Sequence, residues 1–343
     1  SPGTPPMASG GNGPEAAKTP TTLPPAEPVK EAPKESALVP AGNIQGEKVE
    51  EIVIDMPLYT AKLSSLGSSL RSFRLKAFSD ADGRPIELIN DKAGEKLGWP
   101  LTVSTGDAAI DEKLAKANFV TRQEQQRISM EYAGDGLHVE RTFQFDRENY
   151  ELTVETKAAK DGKVIPVLLV WRGGFGDQSI PPDPAKRNAL YQQDTAFKRL
   201  SLRSIKEPQQ FTVSRAGVED QYFLAMFLES DVTSPVTVGK RPYTGDDGKP
   251  VDTISLSMVG TNAARGYIGP KDRRWLTKAD PQLEAVIDYG WFQVIARPLV
   301  FCLLSIHSYV GNFGWSIILL TISINLLLFP LRLKQQVSMQ KMQ

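Results

Sequence analysis

The sequence predicts a mainly β protein, in which a large antiparallel β-sandwich is followed by an amphipathic interfacial helix and one transmembrane helix. Three observations support this prediction. Residues 49–270 contain short stretches in which apolar and polar residues alternate, separated by glycine- and proline-rich turns. Residues 291–310 show an imperfect amphipathic pattern. Residues 313–333 are long and apolar enough to cross a bilayer.

The composition argues against several classes of protein. The 343 residues include 40 basic and 40 acidic side chains, whereas a nucleic-acid binder usually carries a basic excess. Cys302 is the only cysteine, so neither an intrachain disulfide nor a cysteine-based zinc cluster can form. The two histidines, His138 and His307, are far apart in the sequence and argue against a histidine-rich metal site. We therefore expect no metal, no cofactor and no direct contact with nucleic acid.

The N-terminal segment predicts a disordered linker. Residues 1–48 contain ten of the 25 prolines, and no aromatic residue precedes Tyr59. Such a segment cannot bury enough apolar surface to offset the entropy that is lost on ordering. Because the chain begins with SPGTPP and shows neither an initiator methionine nor a signal-peptide pattern, we expect a fragment or a processed form of a longer protein.

Period-two alternation predicts the strands of the sandwich. The apolar side of GLHVERTFQFD carries Leu137, Val139, Phe143 and Phe145, as in a strand with one buried face. Further strands are predicted in YELTVET, VIPVLLVWRGGFG, QYFLAMFLES and DTISLSMVG. Two more are predicted in IVIDMPLYTAKLSSLGSSLRSFRL, with Gly67 at the turn between them. DAAIDEKLAKANF is read as either a short helix or a loop excursion.

No pattern in the β region indicates catalysis. The sequence shows no nucleophile motif, phosphate loop or metal-ligand spacing, and the glycines of GGFGD predict a turn. We expect carboxylate pairs such as Glu219 and Asp220 to lie on solvated faces. His138 falls on the polar side of its strand and is interpreted as a surface histidine, with a ligand-binding role in a groove of the sheet as the alternative. We therefore expect a protein without bond chemistry, not an enzyme.

A short helical connector is predicted next. Residues 271–290 are rich in helix-forming residues and contain a proline near the middle. Asp280 directly precedes that proline, so we expect its side chain to cap the second half of the connector.

Residues 291–310 predict a helix in the plane of the membrane interface. On a helical wheel, Trp291 and Phe292 fall on one broad apolar face, and Arg297 falls on the opposite, more polar face. The alternative is a transmembrane span that forms a tight hairpin with the next helix. Arg297 and Pro298 would be unfavourable in such a span, so the in-plane arrangement is preferred.

Residues 313–333 predict the transmembrane helix. These 21 residues would extend over about 31 Å as a helix, which is enough to cross a bilayer. Trp315 lies at one end, and Arg332 and Lys334 lie at the other. Because basic residues that follow a span stay in the cytoplasm, residues 334–343 should begin a cytoplasmic region. The β domain would then lie in the periplasm of a bacterium, anchored in the inner membrane.

The predicted span carries a stripe of polar side chains. At about 100° per residue, Thr321, Asn325 and Arg332 fall within about 40° of one another. Polar groups in a membrane usually face protein or a hydrated cavity. Asn325 could therefore bond to a neighbouring helix or line a polar groove, and the helix alone leaves both readings open. Pro330 removes one amide donor and should bend the helix near its cytoplasmic end.

The C-terminal residues carry a specific resemblance. The motifs DYGW, IHSYVGNFGWSIILLT, FPL and SMQKM, in this order, closely resemble the bacterial YidC family of membrane protein insertases. Weaker similarity extends to IVIDMPLYTAKLSSLGSSL, DQYFLAMF and YIGPKD, which also occur in the family's order. The resemblance thus covers nearly the whole chain after the linker.

The resemblance implies a fold and a function. The β domain would be the periplasmic β-supersandwich, which is similar to sugar-mutarotase folds, and the two helices would be the interfacial helix and the second transmembrane helix. The family's membrane core forms a hydrophilic groove through which substrate helices enter the bilayer without nucleotide hydrolysis. The implied partners are nascent membrane proteins, the Sec translocon, the lipid bilayer and, through regions outside this sequence, the ribosome.

One residue departs from the family pattern. Bacterial members typically carry an arginine in the groove where this sequence has Asn325, and an amide cannot attract acidic segments by charge. Arg332 lies about two turns further along the same face and is a weak substitute. An alternative function is a membrane-anchored carbohydrate-binding or scaffold protein. Sugar epimerases of such folds need acid/base residues around a groove, commonly histidines and a carboxylate, and the β region contains only one histidine, His138.

Overall fold

Antiparallel β-sheets are the main regular structure of the described chain, in which strands hold more residues than helices do. The computed structural model describes residues 42–228, 233–260, 263–287 and 293–340. The predicted mainly β fold, with antiparallel sheets and a C-terminal helix able to span a membrane, is confirmed. Of the predicted linker, residues 1–41 lie outside the described residues, and the predicted domain boundaries stay predictions.

The elements are numbered along the chain. The strands are β1 (Glu51–Asp55), β2 (Tyr59–Ser64), β3 (Ser69–Ser79), β4 (Pro85–Glu87), β5 (Val120–Glu124), β6 (Arg127–Gly134), β7 (Leu137–Phe145), β8 (Glu151–Lys160), β9 (Lys163–Val164), β10 (Leu168–Trp171), β11 (Asn188–Gln193), β12 (Ala196–Ser201), β13 (Gln209–Val213), β14 (Arg215–Glu219), β15 (Phe223–Leu228), β16 (Ser234–Thr244), β17 (Pro250–Val259) and β18 (Ala263–Pro270). The helices are α1 (Asp91–Leu97), α2 (Ala108–Lys116), α3 (Arg273–Ala279), α4 (Gln293–Val310) and α5 (Phe313–Gln340), with 3₁₀ turns at Leu202–Ser204 and Pro281–Val286.

The described strands form three sheets. β1 to β4 make a four-stranded sheet in chain order, and β10, β17, β16 and β13 make a second. The largest sheet has ten strands and runs β12-β11-β14-β15-β18-β8-β7-β6-β5, with β9 paired to β8. Buried apolar side chains from all three sheets belong to one continuous core.

The stretch IVIDMPLYTAKLSSLGSSLRSFRL contains one strand more than the sequence predicts. The stretch interpreted as two strands forms β1, β2 and β3, because the chain turns at Met56, whose N–H donates to the carbonyl of Tyr59 (2.9 Å). The predicted turn at Gly67 is confirmed. Gly67 has a φ of +68°, and a Cβ at this position would lie 2.9 Å from the carbonyl oxygen of Ala115. Both the conformation and the close approach therefore require glycine.

A cluster of aromatic rings joins the first sheet to the largest one. The Tyr59 ring stacks on Phe73, with ring centroids 4.5 Å apart, and lies 6.4 Å from Phe145 and 6.0 Å from Tyr150. The Tyr59 hydroxyl donates to the carbonyl of Asp146 (2.9 Å). This bond satisfies the polar end of a ring that is otherwise enclosed by the core.

The predicted alternation in β7 is confirmed, but the interpretation of His138 as a surface residue is wrong. His138 is only 8% exposed. In register, it lies between Ala133 of β6 and Ala159 of β8, and Ile44 and Val164 extend this row on either side. His138 is therefore buried although it lies on the polar side of β7, because β7 is paired on both sides and the neighbouring residues are apolar.

The expectation that Glu219 and Asp220 lie on solvated faces is also wrong. Both are buried, at 2% and 8% exposure. Glu219 accepts from Arg199 Nε (2.7 Å) and from Asn188 Nδ2 (2.9 Å). Asp220 accepts from three backbone N–H groups, including that of Phe223 (2.7 Å). A carboxylate is stable in such a place only when donors of this kind replace water.

The two helical expectations before the membrane region are met. DAAIDEKLAKANF contains the helix α2, which Asp107 caps by accepting from the N–H groups of Ala109 and Ile110. In the connector, α3 is followed by the 3₁₀ turn at Pro281–Val286. Asp280 caps that turn as predicted, since its Oδ1 accepts from the N–H of Gln282 (2.9 Å).

Two helices follow the connector. α4 occupies most of the predicted interfacial helix and contains Pro298. Trp291, Phe292 and the Arg297 side chain lie outside the described part of this region. α5 runs through Pro330 and continues to Gln340, beyond the predicted end of the span. The bend predicted at Pro330 and the membrane boundary stay predictions.

Candidate functional site

A two-residue turn joins α4 to α5, and local chemistry accounts for its shape. Gly311 has a φ of +70°, and its N–H donates to the carbonyl of His307 (2.8 Å), as in a helix that ends at a glycine. Asn312 then caps α5, because its Oδ1 accepts from the N–H of Gly314 (2.8 Å). The sequence Gly-Asn therefore ends one helix and begins the next.

Side chains on both helices reinforce this turn. The His307 ring of α4 stacks on the Phe313 ring of α5, with centroids 3.7 Å apart and planes inclined by 12°. Ser316 is fully buried, and its Oγ donates to the carbonyl of Asn312 (2.8 Å). The end of α4 and the first turn of α5 therefore form one packed unit.

The structure brings two of the three predicted groove residues into direct contact. Asn325 Nδ2 donates to the backbone carbonyl of Thr321 (2.9 Å), one helical turn earlier. The Thr321 hydroxyl donates to the carbonyl of Ile317 (2.8 Å). These bonds leave the Asn325 Oδ1, one Asn325 N–H and the lone pairs of the Thr321 hydroxyl available to a partner. The side chain of Arg332 lies outside the described residues.

Apolar side chains surround this polar pair. The 18 residues Phe313–Pro330 have a mean hydropathy of 1.9, and only 6% of them are buried within the chain. Residues exposed along this segment include Trp315, Ile318, Ile322, Leu326 and Phe329. By length and composition, this helix is able to cross a membrane. The stripe of Thr321 and Asn325 thus interrupts an apolar surface.

Two arginines, one through a buried ion pair and one through a hydrogen bond to a backbone carbonyl, hold the connector to the β domain. Arg215 of β14 donates to Asp280 Oδ2 through Nη2 (2.5 Å) and Nε (3.1 Å). Arg199 of β12 donates through Nη2 to the carbonyl of Val286 (2.5 Å), while its Nε bonds to Glu219. Both ends of the 3₁₀ turn at Pro281–Val286 are thus fixed by arginines of the largest sheet.

A polar cavity adjoins the second of these contacts. It measures about 320 Å³ and is lined by Lys186, Asn188, Arg199, Glu219, Lys271 and Ile287. Lys271 Nζ lies 3.3 Å from Glu219 Oε2, so two cations flank the buried carboxylate. The sequence does not indicate that these residues come together, since they lie in segments that are distant in the chain. The local signal is Glu219, a charged residue at the end of the buried strand β14.

Arg141 is a second residue that sequence analysis missed. It lies on the apolar side of β7 and is 4% exposed. Its Nη1 donates to the carbonyls of Ser68 (2.6 Å) and Leu101 (2.5 Å), and its Nε donates to the hydroxyl of Thr156 (3.1 Å). Burial lowers the pKa of the guanidinium to about 9. Position 141 lies on the same side of β7 as Val139 and Phe143. This alternation is the sequence signal that indicates a buried side chain at Arg141.

Comparison with known families matches the larger part of the chain. The sequence model described as the YidC periplasmic domain matches residues 51–302, from β1 into α4. The chain belongs to the YidC family. The YidC match includes the whole connector and both arginine contacts that hold it, and it ends within the helix that precedes the polar stripe.

Individual relatives agree with the YidC assignment. The chain is 30% identical to the membrane protein insertase YidC of Oleidesulfovibrio alaskensis and 31% identical to that of Nitratidesulfovibrio vulgaris strain DP4. These alignments cover 92% and 95% of this chain but only 61% and 63% of the relatives. The chain therefore spans about three fifths of the length of the YidC proteins that it matches.

Solved structures show weaker similarity. The crystal structure of YidC from Thermotoga maritima matches with a TM-score of 0.32 and 18% identity, covering 84% of this chain and 71% of that one. A galactose mutarotase-like protein from Lactobacillus casei matches with a TM-score of 0.45 and 8% identity, covering 64% of this chain and all of the other.

Proposed function

We propose that the chain forms the periplasmic domain and a groove-lining transmembrane helix of a membrane protein insertase. The observation that supports this most directly is the contact between Asn325 and Thr321 on a membrane-length apolar helix, in a chain of the YidC family. The remaining walls of the groove would come from other parts of the full-length protein.

The proposed mechanism uses hydrogen bonding and hydration. A polar group that enters the hydrocarbon region without a partner costs several kcal/mol. Asn325 offers one acceptor and one donor beside the Thr321 hydroxyl, so a substrate segment or a water molecule can replace some of the bonds that it loses. Each such bond contributes on the order of 1 kcal/mol in a membrane. The step involves no change in covalent bonds.

The proposed orientation follows from the ends of α5. Trp315 marks the periplasmic interface, and the basic residues Arg332 and Lys334 mark the cytoplasmic side of a bacterial inner membrane. The β domain then lies in the periplasm, where nascent membrane proteins and the Sec translocon are its proposed partners. The ribosome would contact cytoplasmic parts of the full-length protein.

A rescue experiment with the full-length protein, in cells depleted of their own insertase, tests this proposal. Cells depleted of their own insertase should insert a small membrane protein again when the full-length protein is supplied. Replacing Asn325 with Leu should lower the rate of insertion, because the groove loses its amide, while Asn325→Gln should largely preserve insertion. Ser323 lies on the other side of α5, where its hydroxyl donates to the carbonyl of Leu319 (2.8 Å), so Ser323→Leu is a matched control.

Two results would contradict the proposal. Failure of the normally expressed wild-type protein to rescue insertion would refute the insertase function. If the Asn325→Leu variant inserts the substrate as fast as the Ser323→Leu control and the wild type do, Asn325 only packs against a neighbouring helix.

A further inference from the structure

Two carboxylates and an imidazole converge on the polar face of the largest sheet. Glu131 of β6 lies directly opposite Glu140 of β7, and His138 lies two residues before Glu140 on the same face. His138 Nε2 is 3.1 Å from Glu131 Oε1 and 3.7 Å from Glu140 Oε1. One ligand atom from each of the three side chains lies within 4.8 Å of the others. The sequence does not predict this grouping, since Glu131 is on β6 whereas His138 and Glu140 are on β7.

The two glutamates are an unfavourable pair without a cation. Like charges directly opposite one another on antiparallel strands destabilise a sheet. Within the described ranges, no lysine or arginine nitrogen lies within 4.0 Å of either carboxylate, and His138 is the basic group in contact with both. The next cross-strand neighbours are Val120 beside Glu131 and the exposed Lys157 beside Glu140.

His138 is held in place before any ligand arrives. Its side chain is nine-tenths buried, between the small residues Ala133 and Ala159. Its Nδ1 is enclosed and has no hydrogen-bond partner among the described residues, which leaves Nε2 as the nitrogen that faces the carboxylates. A buried ring loses little additional freedom on binding, so the fixed imidazole favours a ligand at Nε2.

We propose that Glu131, His138 and Glu140 bind a divalent cation of the zinc class. Bonds of about 2.0–2.1 Å in a tetrahedral site place ligand atoms about 3.3 Å apart, which is close to the two distances from His138 Nε2. The carboxylates can close the remaining gap by rotation, because their side chains are 34% and 46% exposed. Because both carboxylates are partly exposed, water can supply the fourth ligand. An imidazole among the ligands favours zinc over magnesium and calcium, which prefer oxygen ligands.

The bound cation would link two strands of the sheet. It would neutralise the opposed glutamates and connect β6 to β7 at the middle of their pairing. This role is independent of the proposed insertase activity, because the site is on the β domain and not on α5. Loss of the cation should therefore leave the polar stripe of α5 unchanged.

Metal titration of the full chain tests the site. The protein is purified in detergent, its affinity tag is removed, and bound metal is stripped with a chelator. Zinc is then titrated against a chromophoric chelator that competes for it. We expect one zinc per chain. Glu131→Gln, Glu140→Gln and His138→Gln should each weaken binding by at least the roughly 10- to 100-fold loss that follows removal of an outer-shell partner.

The controls separate this site from adventitious binding. Glu124 of β5 is an exposed carboxylate outside the cluster, so Glu124→Gln should bind zinc as the wild type does. Zinc K-edge absorption should show a first shell of nitrogen and oxygen with one imidazole. Equal affinity in the wild type and Glu140→Gln would refute the site, as would a sulfur ligand. If His138→Gln does not fold, the exposed Glu140→Gln variant still decides the question.

Discussion

At the scale of single residues, Arg141 carries a positive charge into the core. No carboxylate lies within 4.0 Å of it among the described residues, and its guanidinium is instead surrounded by two carbonyls, one hydroxyl and the Phe143 ring at 4.8 Å. Hydrogen bonds to a charged group contribute about 1.5–3 kcal/mol each, which offsets part of the cost of burial. One bond fixes the carbonyl of Leu101, a buried leucine with a φ of +58°. Arg141 thus stabilises an otherwise unfavourable backbone conformation.

Replacing Arg141 with Met should destabilise the β domain strongly. The variant leaves the buried carbonyls of Ser68 and Leu101 without this donor, and each unsatisfied group costs about 1–3 kcal/mol. We therefore expect the free energy of unfolding to fall by about 2–5 kcal/mol, measured by chemical denaturation. Arg127→Met is the control, because Arg127 is exposed on the adjacent β6. Similar stability of the two variants would contradict this account.

At the scale of elements, the connector is fixed at both ends. Asp280 accepts from the 3₁₀ turn that it begins and from Arg215, whose Nη1 also donates to Gln192 Oε1 (2.6 Å). Removing one member of a buried ion pair leaves the other charge unpaired in the interior, which typically costs about 3–5 kcal/mol. The position of the connector therefore depends on the Arg215–Asp280 pair more than on its exposed ion pairs.

The variant Asp280→Asn should loosen the connector. It keeps the capping oxygen but removes the charge that faces Arg215, so amide hydrogen exchange in residues 282–287 should accelerate. The matched control is Glu284→Gln, which breaks the exposed pair of Arg273 Nε and Glu284 Oε1 (2.8 Å) and should cost no more than about 1 kcal/mol. Unchanged exchange in Asp280→Asn would show that the pair does not hold the connector.

Local patterns predicted the elements well and the polar interior poorly. Alternation predicted β7, the glycine-serine stretch predicted the turn at Gly67, and Asp280 was recognised as a cap, because all three depend on neighbours in sequence. Arg215 and Asp280 are 65 residues apart, so no local pattern could pair them. The contact of Thr321 with Asn325 follows from helical periodicity, whereas the groove that they are proposed to line depends on partner helices.

At the scale of the whole molecule, three sheets share a core that contains neutral tyrosines. Burial raises the pKa of Tyr59, Tyr150 and Tyr267 above the usual value near 10. In the unfolded chain these phenols lose their protons above pH 10, whereas in the fold they keep them. Below pH 10, these groups therefore make their full contribution to the free energy of unfolding. That contribution is lost as the pH rises further.

Alkaline unfolding tests this arrangement. A buried tyrosine that stays protonated in the fold lowers the free energy of unfolding by at most about 1.4 kcal/mol per pH unit above pH 10. Burial lowers the pKa of Arg71, Arg141, Arg172 and Arg187. These groups act in the opposite direction, because the unfolded chain then binds more protons than the fold. The contribution of one tyrosine is therefore measured as the difference in pH dependence between the wild type and a variant that lacks its hydroxyl.

Matched variants isolate one of these groups. Tyr59→Phe should reduce the dependence of the melting temperature on pH, whereas Tyr222→Phe should not, because Tyr222 is 57% exposed. Tyrosinate absorbance should show the buried group ionising together with unfolding. The same pH dependence in the wild type and Tyr59→Phe would contradict the assignment.

The turn at Gly311 and Asn312 has a consequence for insertions and deletions. The stack of His307 on Phe313 and the bond from Ser316 to Asn312 set the rotational phase of α5 about its own axis. One residue added between Ser316 and Thr321 would rotate everything beyond it by about 100°. Asn325 would then face a different neighbour, although composition and hydropathy would hardly change. Related sequences should therefore show no insertions or deletions between Ser316 and Thr321, whereas insertions and deletions should be tolerated in the linker.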